Sequence, residues 1–143
     1  MPEQTPPRRT TLDRGATVEM VEEVAAAGRV RAIYDDIKAT KQIDFVPNFW
    51  KTLAAHPPLL EDTWNRLKRV MAPGKLDALT KEMIAVAVSA TNGCSYCINS
   101  HTAAVKKLGL SEEALGELME VVALFNATNT LADAYQVRPD VFP

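Results

Sequence analysis

Residues 82–101, EMIAVAVSATNGCSYCINSH, are the stretch that decides how this chain is read. Met83 to Val88 are apolar on nearly every side of a helix. Their valines would also suit a strand, but the length and the alanines favour a buried helix from Thr80, its expected N-cap, to Ala90. Asn92-Gly93 stops that helix, and a second is expected from about Ser95 to Leu108, closed by Gly109. The stretch therefore reads as a helical hairpin.

Cys94 and Cys97 are the only cysteines in 143 residues, and His101 is one of two histidines. At i, i+3 and i+7 the three share one helix face. A thiolate is the reactive form of cysteine, and the first turn of a helix lowers the thiol pKa from its usual value of about 8.5. Cys97 would lie in that turn, with Cys94 at its lip. A Cα separation of roughly 5 Å is within the range a disulfide tolerates. If the hairpin is antiparallel about Gly93, Ser89 faces Cys97 and Glu82 faces position 104. That leaves Glu82 an axial offset of about 4.5 Å from His101, which a glutamate side chain covers. Glu82 could then orient His101 as a carboxylate orients a base beside a nucleophile. On residues alone a second chemistry stays open, with Cys94, Cys97, His101 and Glu82 as four zinc ligands in a non-enzymatic module. No second cysteine knuckle supports it.

Outward from the hairpin, the elements remain helical. Helical spacing of apolar residues covers Val18 to about Thr40, with Gly28 as a possible break. Asp44 to Asn48 is a turn, Phe49 to Ala55 a short helix, and Leu59 to Met71 another, with Pro57 and Pro58 suited to its first turn. Ser111 caps a further helix with Glu112 and Glu113 in its first turn. That helix is expected to end near Asn126, with a short one over about 129–136 and an irregular tail from Arg138. Trp50, Trp64, Phe45 and Phe49 are expected in the core or at a subunit interface, and His56 is given no catalytic task. The fold class is all-α. Residues 1–16, rich in Pro, Thr and charge, read as a disordered or docking arm, and 17–143 as one domain.

Hydrophobic residues make up 47% of the chain and charged residues 24%, with a formal net charge of −2. There is no basic footprint for nucleic acid, no apolar run near the ~20 residues of a membrane span, and no apolar leader. The expected location is cytoplasmic, where thiols are kept reduced. The near-uniformly apolar 83–88 run has to be buried on most sides, and a subunit interface could supply part of that cover.

Taken together, Glu82, Cys94, Cys97 and His101 in this order and spacing resemble the core signature of the AhpD-like alkylhydroperoxidases of the carboxymuconolactone decarboxylase superfamily. The upstream stretch 46–57, VPNFWKTLAAHP, is similar to the segment preceding this core in peroxidase-related members. The resemblance covers roughly residues 30–125. It implies an all-helical bundle assembling as a homotrimer or homohexamer, and thiol-dependent reduction of hydroperoxides without a cofactor. By position it implies that Cys97 is attacked by peroxide, Cys94 resolves the product as a Cys94–Cys97 disulfide, and His101 with Glu82 forms the proton relay. A hydroperoxide substrate and a dithiol or protein reductant are the implied partners, with neither nucleic acid nor membrane. Tyr96 departs from the pattern, since AhpD proteins commonly carry histidine between the cysteines. Decarboxylase or lactone chemistry, found elsewhere in the superfamily, does not depend on a cysteine pair.

Overall fold

The computed structural model describes residues 15–143, so the proposed arm falls almost entirely outside the described residues. Among the described residues all regular structure is helical: α1 (Gly28–Lys41), α2 (Asn48–Leu53), α3 (Pro57–Met71), α4 (Ala78–Asn92), α5 (Ser95–Lys107) and α6 (Glu112–Ala134). They form two compact units, one through Val70 and one from Met71 to Pro143.

The first unit is built on Trp64, Tyr34, Ile37 and Leu60, all buried, with the Trp50 ring edge-on to Trp64 at 5.1 Å. Phe45 and Phe49, grouped with these aromatics on sequence grounds, are about half exposed. The helix expected from Val18 begins only at Gly28, whose φ of +53° is one that residues with a Cβ avoid. Before it the chain makes a single 3₁₀ turn, Glu23–Ala25. Tertiary bonds outcompete the helical periodicity here. The Glu23 carboxylate accepts from the Val46 N–H at 2.7 Å and from Lys38 Nζ at 2.9 Å. The Val21 N–H donates to the Lys51 carbonyl, and the Tyr34 hydroxyl donates to the Val21 carbonyl at 2.7 Å.

In the second unit α4 packs against both α5 and α6. Its N-cap is Asp77 rather than Thr80: Asp77 Oδ1 accepts the Thr80 N–H at 2.7 Å, so Thr80 is the third residue of the helix. Gly93, at φ +67°, ends α4 in the left-handed conformation. α6 runs unbroken for 23 residues, where a break was expected near 126–129. The polar residues that suggest the break bond back along the same helix. Thr128 and Thr130 hydroxyls donate to the Phe125 and Asn126 carbonyls, which lets the helix continue. Val86 is fully buried, but Ile84 and Val88 of the same apolar run stay half exposed within one chain.

Candidate active site

The local chain path explains how the cysteines are presented. After Gly93 turns the backbone, the Cys94 N–H returns to the Ser89 carbonyl at 3.0 Å, which fixes the hinge to the end of α4. Cys94 is the N-cap of α5, and its sulfur accepts the Cys97 N–H at 3.3 Å. Cys97 therefore sits in the first turn, where unpaired N–H groups and the positive end of the helix dipole favour negative charge on sulfur. The two sulfurs are joined as a disulfide across a Cα separation of 5.3 Å. Both cysteines are partly accessible, and Tyr96 between them is exposed.

One turn further along α5, His101 Nδ1 lies 2.7 Å from Glu82 Oε2 of α4. The side chains keep 28% and 18% of their accessibility, so the pair is shielded without being sealed. A carboxylate on Nδ1 selects the tautomer with the proton there, and leaves the Nε2 lone pair to accept a proton from another group. Between Glu82 and the hinge, α4 presents the fully buried Val86 and the buried Ser89, whose hydroxyl donates to the Ala85 carbonyl at 2.6 Å. The same face thus contributes one carboxylate and otherwise inert packing, which holds Glu82 against α5.

The structure brings Glu82 to His101 and Cys94 to Cys97. Among the described residues no three His, Cys, Asp or Glu side chains gather in a metal-binding group. Two features had no forecast. The role of the Cys94 sulfur as helix cap is one, although its signal was a residue able to accept a hydrogen bond directly before a helix start. The other is a cleft of about 420 Å³ between α4 and α6, lined by Val88, Thr91, Val121, Phe125 and Asn126 among others. By helical register it lies on the side of α4 away from Glu82.

The model of the carboxymuconolactone decarboxylase family matches residues 57–137, and the chain belongs to that family. Its structure is similar to the crystal structure of the alkylhydroperoxidase AhpD core from Rhodospirillum rubrum, with a TM-score of 0.83 and 44% identity. The match covers 87% of this chain and 94% of that one, and the fold is that of an AhpD-like core domain. Among curated relatives, an alkyl hydroperoxide reductase AhpD of Streptomyces avermitilis is 32% identical over half of this chain. An (R)-2-haloacid dehalogenase of Pseudomonas putida is 32% identical over 74% of it. The chain spans 40% and 35% of the length of those two relatives. No helix among the described residues is long and apolar enough to cross a membrane.

Proposed function

We propose that this protein is a thiol-dependent alkyl hydroperoxide reductase, with Cys97 as nucleophile, Cys94 as resolving thiol, and His101 and Glu82 as proton relay. The observation that carries the reading is the Cys94–Cys97 bridge at the start of α5, one turn from a His101–Glu82 pair. The similarity to AhpD proteins supports the same class of reaction.

In this reading His101, oriented by Glu82, removes the Cys97 thiol proton. The thiolate attacks the terminal peroxide oxygen. The O–O bond breaks, an alcohol leaves with a proton, and Cys97 becomes a sulfenic acid. The Cys94 thiol displaces water from that sulfur, closing the disulfide. An external dithiol then attacks the bridge and leaves as its own disulfide, its two hydrogens ending on the regenerated Cys94 and Cys97 thiols. A compartment that keeps thiols reduced, such as the cytoplasm, supports this last step.

The test is to reduce the protein, add one equivalent of an alkyl hydroperoxide, and count thiols by mass spectrometry. Both thiols should disappear without retained oxygen, and Cys97→Ser should lose turnover by at least about 100-fold. Thiols that survive the peroxide, or a Cys97→Ser variant that turns over normally, would overturn the assignment.

A further inference from the structure

The cleft between α4 and α6 takes no part in the thiol site, and its lining is sorted along its length. α5 returns the chain between the two helices, so α4 and α6 run in the same direction. Near the end of α4, Thr91 Oγ1 accepts from Asn126 Nδ2 of α6 at 3.2 Å. Ahead of that bond in both helices the lining is apolar, with Val88 from α4 and Val121, Val122 and Phe125 from α6. From that bond onward it is polar: Thr91, Asn92, Asn126 and Asn129.

Among the described residues no charged side chain lines the cleft. A carboxylate or ammonium group entering it would give up water without meeting an opposite charge. An uncharged head group would instead meet three carboxamides and a hydroxyl. Asn126 spends one N–H on Thr91, which leaves its side-chain carbonyl oxygen and second N–H to a ligand. The cleft holds about 420 Å³, inside the usual range of small-molecule sites. An apolar cavity of about 150 Å³ admits benzene, so the apolar end has room for a hydrocarbon body on the order of eight carbons. Val88, Val121 and Phe125 are each more than half exposed, so such a body would cover apolar surface that now faces water.

The sequence of residues 1–14, MPEQTPPRRTTLDR, does not match this lining, because its five charged side chains would meet the same desolvation cost. We infer that the cleft is a binding site for a neutral amphiphile, a molecule with a hydrocarbon body of about eight carbons and an uncharged head such as a hydroxyl. The body lies against Val122 and Phe125, and the head bonds to Asn126 and Asn129. The site is on the side of α4 away from Glu82, and the inference does not rest on the thiol chemistry.

The probe is 1-octanol, titrated into the isotopically labelled full chain and followed by NMR. The side-chain amide signals of Asn92, Asn126 and Asn129 should shift and saturate, while the Trp50 and Trp64 indole signals stay in place. 1-Hexanol, two methylenes shorter, should bind about tenfold more weakly. Octanoate, which puts a charge on the head, should also lose at least about tenfold. Phe125→Asp should abolish saturation, and unchanged indole signals would show that this variant still folds. Asn126→Leu provides a second readout: it should weaken octanol about tenfold and leave the ratio of octanol to hexanol affinity unchanged. Shifts that never saturate up to the solubility limit of octanol would overturn the inference, and that is the outcome if a second copy or residues 1–14 fill the cleft. Octanoate binding as tightly as octanol, or full affinity in both variants, would overturn it as well.

Discussion

The two units of this molecule divide its burial and its chemistry unequally. In the first, Ile37, Tyr34, Leu60 and Trp64 are essentially inaccessible, and nine of the twelve buried residues among those described belong to one cluster around them. In the second, Val86, Ser89 and Val105 are the buried residues, yet the cysteines and the His101–Glu82 pair are all there. A reactive thiol needs access, and a helix pair that presents one cannot be covered on every side. The second unit consequently relies on caps, a covalent bridge and side-chain pairs such as His101–Glu82 and Lys106–Glu112 where the first relies on packed volume. Apolar side chains on its α4 and α6, Ile84, Val88, Val121 and Leu124 among them, stay about half exposed within the chain.

Trp64→Ala should break this contrast most severely. It removes the largest fully buried side chain, unstacks Trp50, and strips Asp36 of the indole N–H that donates to it at 2.7 Å. A buried aromatic truncated to alanine costs about 3–5 kcal/mol through lost transfer energy and the cavity left behind. Denaturant titration followed by Trp50 fluorescence reports the first unit directly, because both tryptophans of the chain belong to it. A loss under about 1 kcal/mol would mean the cluster collapses freely and is less rigid than its burial implies.

A smaller effect should appear in base. Burial, reinforced by the nearby Glu22 and Glu23 carboxylates, pushes the Tyr34 hydroxyl up to about 12 from its usual value of 10.0. The raised value means that folding favours the protonated form. Its contribution is complete below pH 10 and is lost as pH rises from 10 to 12, by roughly 2–3 kcal/mol in total. Stability measured against pH by tryptophan fluorescence should fall across that window in the native chain. Tyr34→Phe, which gives up the bond to the Val21 carbonyl, should start lower and fall less. Equal slopes for the two would remove Tyr34 from the account.

The same division separates what was legible in the residues from what was not. Helix ends set by local chemistry read directly: the Gly93 stop, the α5 start after Cys94, the prolines in the first turn of α3, and the Ser111 cap. The Glu82–His101 meeting also followed from local rules, since a tight hinge leaves a helical pair little choice of register. Features governed by distant partners did not read. The periodicity of 18–27 is helical, yet Glu23 is claimed by Val46 and Lys38, more than a dozen residues away. The break expected in α6 failed for another reason, because threonine and asparagine suit loops and also bond back onto a helix. Asp77 and Thr80 are both good caps three residues apart, and only the backbone path shows that Asp77, not the expected Thr80, holds the position.

The mildest test concerns a cap that was legible, at the start of the helix with the least cover. Ser111 Oγ accepts the Ala114 N–H at 3.1 Å, and the next two residues, Glu112 and Glu113, lie at the positive end of the α6 dipole. Ser111→Ala leaves one N–H of that turn without its partner and should cost about 1 kcal/mol. Ser111→Asp, which keeps an acceptor in place, should retain most of that stability. Hydrogen exchange resolved along α6 provides the measurement. In the alanine variant the amides of the first turn should exchange faster, while those around Trp50 and Trp64 in the first unit should keep their native rates. If the whole of α6 loosens along with its first turn, the helix depends on its cap more than on its packing against α4.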